Sequence, residues 1–179
     1  MGDQQVERAA VASDFADLYR REFGQVVFVV QSLVGRRDLA EEITQDAFIV
    51  TYDRWARVRR YARPGDFVRR VALNRAVSDF RRRGAEQRAV ERAQRRGATA
   101  TAGPEDRAAA EGVWAAVRDL PARQAQAIAL TYAEDLSTAR VAEILGCSES
   151  AVKTHLLRGR SRLQSVLAEQ QLLLDGEGR

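Results

Sequence analysis

The chain is poor in the residues from which secreted scaffolds, metal centres and membrane spans are built. Of its 179 residues one is cysteine, Cys147, and one is histidine, His155. A single thiol closes no internal disulfide, which fits a reducing compartment. One thiol and one imidazole cannot assemble a Cys/His zinc site, so no metal is expected. No run of about 18 apolar residues occurs, which excludes a transmembrane helix. The opening stretch, MGDQQVERAAVASDF, has no apolar core of the secretory kind, so a cytoplasmic location without membrane insertion is expected. Strand-like alternation is scarce and no internal repeat is visible. A phosphate loop, a metal cluster and paired catalytic carboxylates are all missing, so no enzyme, cofactor or small-molecule substrate is expected.

Lysine is also nearly missing: Lys153 is the only one, and the rest of the 29 basic residues are arginine. Arginine beside abundant alanine records a GC-rich genome well enough in total, but it does not explain placement. Asp38 to Asp53 holds Asp38, Glu41, Glu42, Asp46 and Asp53 and no basic residue. Arg54 to Arg96 then carries fifteen arginines against Asp66, Asp79, Glu86 and Glu91, a net of +11 within a chain whose overall charge is only +4. Blocks of opposite sign point to two different partners, one cationic and one a polyanion such as nucleic acid.

Helical spacing dominates. Phe15, Leu18, Tyr19, Phe23, Val26, Val30 and Leu33 share one apolar face, and Gly35 ends that helix. Asp38 followed by Glu41 resembles a capping box for a second helix with Leu39, Ile43, Ala47 and Val50 inward. Arg57 to Asp66, with Pro64-Gly65, reads as a loop. A third helix is expected from about Phe67 to Arg83, with Phe67, Val71, Asn74, Val77, Ser78 and Phe80 near one face. Trp55 stands out as the aromatic least expected in the core. Gly84 to Gly103 reads as a linker, part-helical around Glu86 to Arg95. Glu105 and Asp106 start another helix bearing Trp114, Val117 and Leu120, and Leu120-Pro121 opens one whose Ile128, Leu130 and Tyr132 pack inward.

The most informative stretch is Ser137 to Leu163, STARVAEILGCSESAVKTHLLRGRSRL. Ser137 caps a short helix holding Val141, Ile144 and Leu145. Gly146 suits a left-handed helix end, and Ser148 can cap the next helix, which turns Val152, Leu156 and Leu163 inward. This is the pattern of a helix-turn-helix, whose second helix enters the DNA major groove. Ser148, Ser150, Lys153 and Thr154 can reach base edges, while Arg158, Arg160 and Arg162 can reach bases or phosphates. His155 and Cys147 read as packing or turn residues.

With these segments in place the chain resembles extracytoplasmic-function (ECF) sigma factors of bacterial RNA polymerase, from about Phe15 to Leu167. DLAEEITQDAF, the Asn-containing helix ending Arg81-Arg82-Arg83, and the LPARQ…VKT block carry the resemblance together. It implies an all-α fold of two small helical domains: residues 1–84 as sigma region 2, a flexible linker at 85–104, and residues 105–179 as region 4. It implies that Glu42, Gln45 and Asp46 contact core RNA polymerase. Asn74 would hold a base flipped from the promoter −10 element, with the Val58 to Asp66 loop forming its pocket. Arg69, Arg70, Arg75, Arg81, Arg82 and Arg83 would hold −10 phosphates. Ser148, Ser150, Lys153, Thr154, Arg158 and Arg160 would read the −35 element. An anti-sigma factor is a further implied partner. The alternative is a stand-alone helix-turn-helix regulator, disfavoured by the acidic 38–53 helix and the lack of a dimerisation helix.

Overall fold

The computed structural model describes the backbone of residues 2–93 and 105–176 and the side chains of residues 14–78 and 112–168. Among the described residues every regular element is a helix: α1 (Gly2–Val34), α2 (Arg37–Asp53), α3 (Trp55–Val58), α4 (Pro64–Ala93), α5 (Glu105–Arg118), α6 (Ala122–Tyr132), α7 (Thr138–Leu145) and α8 (Glu149–Gly176). The fold is all-α, with the two helical units the sequence suggests.

Local chemistry accounts for most boundaries. Gly35 adopts φ +72° and its N–H donates to the Gln31 carbonyl at 2.8 Å, ending α1 as expected. The capping box expected at Asp38 does not form: Arg36, extended, is the N-cap and supplies no side-chain cap. Asp38 lies inside the first turn, where the guanidinium of Arg36 and the N-terminal helix dipole favour its charge. The expected loop at 57–66 is shorter, because α3 takes up Arg57 and Val58 and α4 starts at Pro64. Proline suits a first turn, where its missing N–H has no helical acceptor. At its far end α4 continues through Ala93, into the expected 85–104 linker, since Ala, Gln, Glu and Arg favour helix and Gly84 alone does not break it. The remainder of that linker, residues 94–104, lies outside the described residues.

The helices α1, α2 and α4 pack around Leu18, Val26, Val30, Ile43, Phe48, Val68 and Leu73, and α5 to α8 pack around Val117, Ile128, Leu130, Val141, Ile144 and Val152. The two cores are continuous: α1 packs on α5 and α6, and α4 packs on α7. This contact revises the face expected for α4. Its most buried positions are Val68, Arg69, Ala72, Leu73 and Ala76, while Asn74 and Ser78 are exposed and Phe67 and Val71 only partly covered. A helix clasped between two units buries its small residues at both contacts, and one apolar stripe no longer describes it. The side chain of Phe80 lies outside the described residues.

Two aromatics exchange their expected places. Trp55 is 4% exposed, edge-on to Phe15 with ring centroids 5.3 Å apart, and belongs to the core. Tyr132 is instead 55% exposed, with the Arg160 guanidinium 5.5 Å from its ring centroid. Gly159 allows α8 to approach α6 closely, because an added Cβ would come 2.6 Å from Ile128 Cδ1. Gly159→Val should therefore cost about 1–3 kcal/mol of stability through overpacking, read as a lower urea midpoint with an unchanged slope.

Candidate nucleic-acid interface

Three surfaces carry the residues singled out by sequence. The first is the outer face of α2. Leu39, Ala40, Ile43, Thr44, Ala47, Phe48 and Thr51 are buried, which turns Glu42, Gln45 and Asp46 outward at i, i+3 and i+4. Asp46 is half-exposed and forms an ion pair with Arg75 of α4, so a residue expected at the polymerase meets one expected at DNA. The same face continues into Ile49 and Tyr52, exposed apolar side chains that the sequence reading passed over. Their spacing from Glu42 (i+7, i+10) would have marked them. An apolar centre with an acidic rim is the usual composition of a protein-binding patch.

The second surface surrounds the 53–70 corner. A cleft of about 560 Å³ opens between α3 and the start of α4, rimmed by Arg54, Arg57 and Arg70 and walled by Val58, Tyr61 and Phe67. Tyr61 lies edge-on to Phe67 at 6.2 Å between centroids and is partly exposed. Trp55, locked into the core, holds α3 in place beneath it. An aromatic wall with guanidinium groups at the rim suits an unstacked base and its phosphates. This corner overlaps the Val58 to Asp66 loop expected to form a pocket; Tyr61 and Arg54 are additions.

The arginines of α4 stand differently from expectation. Arg69 is 3% exposed and presents no surface to DNA in this arrangement. Its Nε donates to Glu134 at 2.6 Å, one terminal nitrogen to Glu22 at 2.7 Å and the other to Gln25 at 3.0 Å. The burial that makes a free guanidinium costly is what recruits two carboxylates. Burial also pushes the Glu134 carboxyl above its ordinary range against the opposing pull of Arg69. Burial acts on Glu22 in the same sense, but hydrogen bonds and charge from Arg69 and Arg21 hold that carboxyl below its ordinary range. Arg70 donates to the main-chain carbonyls of Ile144, at 2.7 Å, and Glu143. Asn74 is exposed, and its Oδ1 accepts from Gln126 Nε2 at 3.4 Å. The side chains of Arg81, Arg82 and Arg83 lie outside the described residues.

The third surface is the start of α8. Ser137 Oγ accepts from the Arg140 N–H at 3.3 Å, Gly146 takes φ +65° and ψ +44°, and Ser148 Oγ accepts from the Ala151 N–H at 3.2 Å. These are the caps the sequence suggests, and they set α7 and α8 as the two helices of the motif. Val152 and Leu156 face inward, and Ser148, Ser150, Lys153, Thr154, Arg158, Arg160 and Arg162 are all exposed. Leu157, 69% exposed and between Thr154 and Arg158 on the same face, escaped the sequence reading; i+7 from Ser150 would have found it.

His155 lies beside this face, half-buried. Burial, then the charges of Arg123 and Arg158, lower its pKa. The folded chain thus binds fewer protons than the unfolded one just below the ordinary histidine pKa, and stability falls as pH drops through that range. Its NMR titration midpoint should lie below that of a histidine peptide, and Arg123→Ala should raise it.

The model for Sigma-70 region 2 matches residues 18–86 and that for Sigma-70, region 4 matches residues 110–163, together about two thirds of the chain. Among solved structures, the chain is similar to the sigma factor RpoE from Bartonella quintana, solved in complex with the anti-sigma factor NepR. That likeness has 23% identity and a TM-score of 0.65, covering 87% of this chain and 97% of the other. It is similar also to CnrH, solved with the cytosolic domain of CnrY, at 20% identity and a TM-score of 0.60, covering 90% of this chain and 94% of the other. Among curated proteins no sequence matches.

Proposed function

We propose that the chain, which belongs to the sigma-70 family, is of its extracytoplasmic-function group, binds core RNA polymerase and directs it to promoters, reading the −35 element as duplex and opening the −10 element. The observation that carries this reading is the pairing of two sites of different character on one chain. One is the exposed polar face at the start of α8, the other the arginine-rimmed aromatic cleft between α3 and the start of α4. A regulator that binds only duplex DNA has use for the first and none for the second.

The division of labour follows from the energetics. Extruding a base costs a few kcal/mol of stacking, which an aromatic wall and a cationic rim offset. Tyr61 and Phe67 supply the wall, and Arg54, Arg57 and Arg70 the rim. Asn74 is the side chain proposed to hold the base, with Arg69, Arg70, Arg75 and the Arg81 to Arg83 run on phosphates. Ser148, Ser150, Lys153, Thr154, Arg158 and Arg160 are proposed to read −35, with Leu157 placed for contact with a thymine methyl. Glu42, Gln45 and Asp46, with Ile49 and Tyr52 following them along α2, are proposed to dock on a basic surface of the polymerase. The complex of RpoE with the anti-sigma factor NepR supports a protein antagonist of the anti-sigma class for this chain as well. No active site of its own is proposed for the chain.

Run-off transcription with core polymerase tests the reading directly: promoter-dependent RNA is expected, and its absence would sink the proposal. Lys153→Ala or Arg158→Ala should weaken −35 use by about 1–3 kcal/mol while leaving the −10 response intact, measured on templates varied at one element at a time. Asn74→Ala should slow open-complex formation with core affinity unchanged. Charge reversal at Glu42 and Asp46 should do the opposite, lowering core affinity on every promoter.

A further inference from the structure

Two consecutive residues of α8 meet two residues one turn apart on α6. Gly159, buried, lies so close to Ile128 that an added Cβ would come 2.6 Å from Ile128 Cδ1. Arg160 follows it and reaches Tyr132, four residues on from Ile128, with its guanidinium carbon 5.5 Å from the ring centroid. The glycine sets the approach of the two helices, and that approach brings the cation to the ring. Both members of the pair are exposed, so the ring is not there to fill the core. Arg160 also stands seven residues beyond Lys153, two turns along the same face of α8. That is about 10 Å at roughly 1.5 Å per residue, against a major-groove depth of about 8.5 Å. With Ser150 and Lys153 at base edges, a side chain two turns further on is level with the sugar–phosphate backbone.

We propose that Tyr132, which lies outside the helix-turn-helix, is a positioning residue for duplex DNA: its ring holds the Arg160 guanidinium for a backbone phosphate at the edge of the groove that α8 enters. The inference rests on the reading of α8 given above, and it assigns Arg160 to the backbone of that element rather than to its bases. A free arginine side chain samples many rotamers, and ordering it on binding opposes association. A ring that already restrains the guanidinium removes part of that cost before DNA arrives. The ring attracts the cation through its face and uses none of its N–H groups, so the donors are kept for phosphate oxygens. Phosphate contact carries no sequence information, so the gain in affinity is the same on every duplex.

The test uses the full chain and a fluorescent duplex of mixed sequence, with affinity read by anisotropy across a series of salt concentrations. Tyr132→Leu should weaken binding about two- to five-fold, the worth of an exposed cation–π contact. The slope of log affinity on log salt should stay as it was, because no charge is lost. Tyr132→Phe keeps the ring and should bind as the unaltered chain does. Arg160→Ala should weaken binding further and reduce the salt slope by about one, as for the loss of one phosphate contact. Adding Tyr132→Leu to Arg160→Ala should change nothing more, which is the coupling expected when one residue acts through the other. Both side chains are exposed, so these variants keep the fold. Equal losses in Tyr132→Phe and Tyr132→Leu, additive losses in the double variant, or an unmoved salt slope in Arg160→Ala would each overturn the proposal. Run-off transcription by the unaltered chain is the separate control. Its failure removes the sigma-factor reading, whereas transcription together with additive losses removes the role of Tyr132 alone.

Discussion

A guanidinium taken out of water has to be met by anions, and Arg69 imposes that condition on the whole molecule. It sits in the second turn of α4 with Glu22 of α1 on one side and Glu134 of the corner after α6 on the other. Those three positions belong to elements far apart in sequence, so satisfying one charge fixes how the second unit lies on the first. The neighbourhood is shaped for it. At Gly65 an added Cβ would come 2.8 Å from the Glu22 carboxyl carbon, and Asp135, beside Glu134, takes φ +51° to turn the chain there. Aspartate tolerates that left-handed backbone better than most residues. From this corner Ser137 starts α7, so the pose of the helix-turn-helix on the first unit follows from where Glu134 must be.

The surface divides along the same lines. The acidic face of α2 and the reading face of α8 point to solvent, and the arginines between them are largely spoken for by protein. A net charge of +4 describes none of these. Arg75 and Asp46 neutralise one another where the outer face of α2 meets α4, so the two surfaces are not electrostatically separate.

What the sequence disclosed and what it withheld separate by range. Ser137, Gly146 and Ser148 act on backbone groups within three or four residues, so the helix-turn-helix was legible to the residue. The outward set on α8 followed from it by periodicity alone. Asp38 misled because Arg36, two residues earlier, is the cap instead, a choice between near neighbours that spacing does not decide. Trp55 and Tyr132 were assigned the wrong sides because each depends on a partner elsewhere: Phe15 covers the first, and Arg160 rather than the core meets the second. Arg69 was read with the other arginines of its block. Nothing local tells a guanidinium destined for two carboxylates from one destined for phosphates. The contact between the two units, made by residues 52 to 80 positions apart, was hidden for the same reason.

Lys153 gives the reading face of α8 a chemical individuality that the arginines around it lack. It is the only side-chain amine in the sequence, it is exposed, and the only thiol, Cys147, lies within two turns of it. A reagent selective for lysine side chains therefore has one address on this molecule, and that address is on the exposed face of the second helix of the helix-turn-helix. Acylation there replaces a compact cation with a neutral amide and touches no other charged side chain of the contact between the two units or of the acidic helix.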